Sequence, residues 1–164
     1  MFTIESAEAI LPNNIYQYPF LQFAETTLAV NISGMAIHYL DLCKILFMEK
    51  KKEFLPLVIE KENQLEKVRT LFYKTVEHSW NECVSKTPVT KSLLKKVTTV
   101  SRKLAYTSRQ LVEELYPFCG LEAADARTEM NRVWRDLHTA SQHTLLLYHS
   151  PHRISIRNVF KTQR

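Results

Sequence analysis

The sequence predicts an all-α protein, an up-and-down four-helix bundle. Only 2 of its 164 residues are glycine and 6 are proline, while 45% are apolar. Such a composition suits long helices and disfavours sandwiches, barrels and glycine-rich phosphate loops. The apolar residues recur at helical spacing over stretches of about seven turns, and prolines punctuate them. One domain with a proper core fits the length.

Residues 1–17 read as a lead-in segment without helical period, with Phe2-Thr3-Ile4 as a short strand and Pro12-Asn13-Asn14 as a turn. The bundle spans 18–150. Its first helix starts near Pro19, a residue suited to a first turn, and runs to about Lys52, because Pro56 blocks continuation. From Leu28 to Met48 it is apolar on nearly every side, the pattern of a helix covered on several faces by protein. Asn31, Ser33, Gly34, His38, Asp41 and Lys44 argue against a membrane span there. Thr27, Asn31, Gly34, His38 and Asp41 form one polar stripe, facing a polar partner, a cofactor or water. His38 itself reads as a hydrogen-bonded core histidine.

The second helix covers about 57–85, with Leu57, Leu65, Val68, Phe72, Val76 and Trp80 inward, and Thr87-Pro88 breaks it. The third runs from about Pro88 to Tyr116 on Leu93, Leu94, Val97, Val100, Leu104, Leu111 and Leu115, and Pro117 and Gly120 end it. Lys91, Lys95, Lys96, Arg102 and Lys103 read as its solvated face, and Lys50, Lys51 and Lys52 as a solvated run. The fourth spans about 126–149. Short connections make neighbours antiparallel.

Function classes narrow by absence. Gly34 and Gly120 cannot build GxGxxG or GxxxxGKS, which argues against a self-contained nucleotide-binding domain. Cys43, Cys83 and Cys119 are odd in number and far apart, so reduced thiols in a cytoplasmic protein are the simplest reading, with neither disulfides nor a metal site. Net charge is +5, and no acidic residue follows Asp136, so residues 151–164 form a basic tail. Without interleaved aromatics, that tail is not a nucleic-acid platform.

The informative stretch is RVWRDLHTASQH, residues 132–143. On a helix, Met130, Val133, Trp134, Leu137 and Ala140 fall on one side, while Arg132, Arg135, Asp136, His138, Thr139, Gln142 and His143 fall on the other. Arg132, Asp136, Thr139 and His143 share one narrow strip. The polar side could be a solvated surface with an Arg132–Asp136 pair. Yet exposed faces favour Lys and Glu, and this one carries directional groups suited to a planar polar ligand or a partner subunit.

RVWRDLHTASQH resembles the last helix of acyl-CoA dehydrogenase-like flavoproteins, above all their flavin-dependent monooxygenase branch. YPFLQFAETTLAVNISGMAIHYLDL, residues 18–42, is similar to the first helix of that family's C-terminal domain. The resemblance implies a bundle that meets flavin together with an N-terminal helical domain and a sheet domain, here expected to be missing from a fragment or truncated product. It further implies homo-oligomers, dimer or tetramer. His143 matches the histidine beside flavin and substrate, able to donate a hydrogen bond or take a substrate proton. Arg132, Arg135 and Gln142 are the expected contacts to FAD or FMN. Thr144 stands near the dehydrogenases' glutamate, which disfavours ordinary dehydrogenation; of the acidic residues in the first helix, neither Glu25 nor Asp41 matches a base clearly. The QxxGG flavin contact is replaced by FCGLEAAD, residues 118–125. Alone, such a chain would be inactive. The other reading is a non-enzymatic oligomerisation or protein-interaction module.

Overall fold

Proline and threonine set where the helices begin. In this computed structural model, which describes residues 14–85 and 89–146, α1 (Phe20–Lys50) follows Pro19 and α2 (Leu55–Val84) carries Pro56 in its first turn. Thr90 caps α3 (Lys91–Cys119), its hydroxyl accepting from the Leu93 amide at 3.3 Å. Thr128 caps α5 (Glu129–Ala140) in the same way, with Asn131 as donor. Each cap satisfies an amide that the helix leaves without a partner. A single-turn α4 (Leu121–Ala124) joins α3 to α5.

α1 packs most extensively on α3, α2 also lies chiefly on α3, and α5 rests on α1. Cross-links fix the directions. Gln22 reaches Thr98 and Cys43 meets Cys119, so α1 and α3 are parallel, while Lys61 on α2 pairs with Glu114 on α3 in the antiparallel sense. The expected up-and-down bundle is the observed architecture, and its third and first helices form the central pair. Ala29, Ile32, Ala36, Tyr39, Leu40, Cys43 and Phe47 of α1 are buried, as are Leu104, Leu111, Val112 and Leu115 of α3. No helix among the described residues is long and apolar enough to cross a membrane.

Two helix ends differ from the sequence expectation. α3 continues through Pro117 to Cys119. Proline forfeits one bond near the helix end, but the last turn is held from outside: Phe118 packs on Phe54 with ring centroids 5.0 Å apart, and Cys119 is buried. Lys51, expected in a solvated run, donates to the Phe118 carbonyl at 2.8 Å and so caps α3. Gly120 then ends the helix with φ of 62°, a conformation in which a side chain is strained. α5 stops at Ala140, well short of 149. The Ser141 hydroxyl turns back to the His138 carbonyl at 3.0 Å, and the Gln142 and His143 amides take i−3 partners, Thr139 and Ala140. A serine competing for backbone groups and i−3 bonding tighten and end a helix. The lead-in strand and turn, Thr87-Pro88, residues 147–150 and the basic tail 151–164 lie outside the described residues.

Cys43 and Cys119 bring their Sγ atoms to 3.5 Å in the core between α1 and α3. Bonding to Cys119 and burial hold the Cys43 thiol well above its usual range. The raised thiol slows reaction, but the short Sγ–Sγ approach dictates its product: forced thiol oxidation should yield one intramolecular disulfide between these two residues, leaving Cys83 free, with the loss of two hydrogens by mass spectrometry and faster migration on non-reducing gels. An intramolecular disulfide from Cys83 to Cys43 or Cys119 instead would contradict the parallel α1–α3 pairing.

Lys61 Nζ lies 2.7 Å from Glu114 Oε2 across α2 and α3. The ammonium holds the Glu114 carboxyl below its usual 4.5, and the carboxylate raises Lys61 above 10.5. The Glu114 contribution is present above pH of about 4.5 and is lost as pH falls through its lower folded value. Glu114 is more than a third exposed, so the pair is worth about 0.5 kcal/mol. Glu114→Gln should lower the thermal midpoint slightly at pH 6 and flatten its decline between pH 5 and 3, measured by circular dichroism.

Candidate functional site

α5 presents the residues that the sequence singled out. Met130, Val133 and Leu137 are buried, and Trp134 packs on Tyr116 of α3 with ring centroids 5.0 Å apart. The opposite face exposes Arg132, Arg135, Asp136 and Thr139. His138, expected on that face, is instead largely buried, its side chain 19% exposed. It stacks on Trp134 at 4.1 Å, donates from Nδ1 to the Trp134 carbonyl and points Nε2 at Glu113 of α3, 3.2 Å away. His138 thus fastens α5 to α3.

The arginine and histidine groups do not form one compact cluster. Arg132 pairs with Glu129 at 3.1 Å rather than with Asp136. Glu129 also takes His38 Nε2 at 3.0 Å, and these two bases hold its carboxyl below the usual range, the His38 hydrogen bond acting most. His38 is therefore an exposed surface partner rather than a core histidine. The α1 stripe of Thr27, Asn31, Gly34, His38 and Asp41 is exposed throughout, and meets the polar row of α5 at this Glu129. Arg135 is exposed on the same helix.

Because α5 ends at Ala140, Gln142 and His143 leave the helical strip and sit together in the turn that follows, both exposed. His143 Nδ1 accepts from the Leu145 amide at 3.3 Å. Arg132 lies about three helical turns of chain before this histidine. The polar groups are thus divided, guanidinium groups along α5 and an amide and imidazole in the turn that follows it. Guanidinium groups suit phosphate, and amide or imidazole N–H groups suit the edge of a heteroaromatic ring.

Behind the turn lies a group that the sequence reading did not assemble. Glu25 of α1 is fully buried. Arg102 Nη2 donates to its Oε1 at 2.9 Å, and Thr98 donates to its Oε2 at 2.5 Å. Gln22 extends the network to Thr98. Arg102, assigned to a solvated face, spends its Nε–H on the Leu145 carbonyl at 2.9 Å. A signal existed for Glu25: it falls in register with Ala29, Ile32, Ala36 and Cys43, the buried face of α1. An open depression of about 270 Å³ lies elsewhere on α3, lined by Ser92, Lys95, Lys96, Thr99 and Val100, none of them an expected site residue. Among the described residues no group of three or more His, Cys, Asp or Glu could hold a metal ion.

Comparison with known proteins adds two findings. The family model described as acyl-CoA dehydrogenase, C-terminal domain, matches residues 57–148. Among solved structures, the chain is similar to the 3-HSA hydroxylase from Rhodococcus sp. RHA1, with a TM-score of 0.70 and 17% identity. The alignment covers 82% of this chain and 38% of that one, so the chain spans well under half the length of the hydroxylase. No curated protein matches in sequence.

Proposed function

Because the chain belongs to the acyl-CoA dehydrogenase C-terminal domain family, we propose that it serves as the helical domain of a flavin-dependent oxidoreductase, and that the reaction is monooxygenation rather than dehydrogenation. The observation that favours this choice is the state of the acidic residues. Abstraction of an α-proton needs an accessible carboxylate. The turn that carries His143 offers Thr144 and no carboxylate, Glu25 is sealed in the core against Arg102 and Thr98, and the exposed carboxylates of Asp41, Glu129 and Asp136 sit on α1 and α5 rather than in that turn. His143 is the exposed candidate in the turn that can exchange hydrogen bonds with a substrate or cofactor.

The donor groups fit a flavin in chemical type. Arg132 and Arg135 would hold phosphate, and Gln142 and His143 would address the ring or the substrate beside it. FAD and FMN both meet that description, and either supplies two-electron redox chemistry when bound. The remaining walls would come from a sheet domain, an N-terminal helical domain and neighbouring subunits, so the chain alone is inactive: an open surface does not exclude water.

A second reading, a non-enzymatic assembly module, draws support from exposed apolar side chains on α1 itself, where Phe20 is 80%, Phe23 42%, Ile45 53% and Met48 52% exposed. Such residues suit a covered face, and a homo-oligomer, dimer or tetramer, would cover them under either reading. Titrating FMN and FAD with the chain separates the two. Quenched flavin fluorescence, weakened in Arg132→Ala/Arg135→Ala, is expected. A stable colourless oligomer indifferent to both flavins would favour the assembly module.

A further inference from the structure

A fully buried carboxylate is costly unless it is paired, and a well-packed apolar group would serve stability as well. Glu25 is therefore informative about what its partner does. Arg102 is the partner, and it is only partly committed to Glu25: Nη2 meets the carboxylate at 2.9 Å, while Nε–H reaches across to the Leu145 carbonyl at 2.9 Å. The guanidinium plane keeps those two donors in fixed relation, so fixing one end fixes the other. Leu145 belongs to the short 3₁₀ turn Thr144–Leu146, and its amide donates to His143 Nδ1 at 3.3 Å. Glu25, Arg102, Leu145 and His143 thus form one continuous chain of hydrogen bonds from the core to an exposed imidazole.

We propose that Arg102, anchored by Glu25, is a positioning residue for His143: it pins the turn after α5, and the pinned Leu145 amide fixes the neutral imidazole as its Nε2–H tautomer. An amide can only donate, so Nδ1 must accept, and the single ring proton of the neutral form resides on Nε2. The consequence is chemical. In this state His143 offers its surroundings an N–H donor and no basic lone pair at Nε2. The group it addresses is a hydrogen-bond acceptor, a carbonyl oxygen or ring nitrogen of a heteroaromatic cofactor or substrate, rather than an acidic proton. The purpose given to the donor rests on the proposed function; the tautomer and its dependence on Arg102 do not.

Long-range ¹H–¹⁵N correlation spectra of the full 164-residue chain, in buffer alkaline enough to leave histidines neutral, test it directly. His143 is expected to show a protonated Nε2 and an unprotonated Nδ1. Arg102→Lys keeps a cation beside Glu25 but removes the rigid fork. It should move His143 toward a tautomer mixture and speed hydrogen exchange at the Leu145 amide roughly tenfold, the effect of losing one charge-assisted hydrogen bond. Phe47→Leu, at the other end of the bundle, lowers stability without touching the chain of bonds, and should leave the His143 pattern unchanged. A tautomer mixture in the parent chain, unaltered Leu145 exchange in Arg102→Lys, or an equal change in Phe47→Leu would each overturn the assignment. FMN titration of His143→Ala distinguishes the other failure: an unchanged flavin response removes the cofactor-facing role while the tautomer result stands.

Discussion

Arg102→Ala is expected to destabilise the bundle by about 3–5 kcal/mol, because it leaves a buried carboxylate without its cation. Glu25 is fully buried, and the Thr98 hydroxyl alone cannot replace a guanidinium. The loss should appear in urea unfolding as a lower midpoint with little change in slope. Its origin can be separated from lost packing of the arginine stem, since Glu25→Gln in the same chain removes the charge that Arg102 neutralised. The double variant should recover a large part of the loss, as expected for two residues in direct contact. A decrease under about 1 kcal/mol for Arg102→Ala would show that solvent or another cation reaches Glu25, against the burial described above.

Phe47→Ala should cost a comparable amount, about 3–5 kcal/mol, for a different reason. Phe47 is fully buried near the C-terminal end of α1, its ring centroid 5.6 Å from that of Phe54, which stacks in turn on Phe118. Deleting the ring leaves a cavity between α1, the α1–α2 connection and the last turn of α3, and forfeits an aromatic contact. The same contacts hold the turn that contains Pro117, so hydrogen-exchange protection of the Phe118 and Cys119 amides should fall as well. A destabilisation confined to a few tenths of a kcal/mol would mean that this end collapses to fill the space. Together the two variants contrast the ends of one bundle, an aromatic plug at the α1–α2 connection and a charged network behind the His143 turn.

The helices were legible in the sequence because each repeats its apolar residues over many turns. α1 betrayed its central place by being apolar all round, and it does contact α2, α3 and α5. The inward tryptophan of α5 was legible too, since Met130, Val133 and Leu137 share its side. What escaped depends on partners distant in sequence. Arg102 looks like any basic residue on α3 until Glu25, 77 positions earlier, is folded against it. Lys51 sits in a run of three lysines, and only the arrival of the α3 C-terminus makes it a cap. The early end of α5 was hidden because Leu145 continues the helical period by coincidence, while the decision is made locally by Ser141 and i−3 bonding.

The early stop of α5 separates two tasks that a longer helix would have coupled. Residues up to Ala140 anchor the helix through Trp134 and His138, and those after it carry Gln142 and His143. Lengthening, shortening or re-aiming the segment after Ala140 changes what the imidazole meets without unseating a single core side chain of the helix before it. That segment answers to its own anchors, the buried Leu146 and the Arg102 bond to the Leu145 carbonyl, rather than to those of the helix.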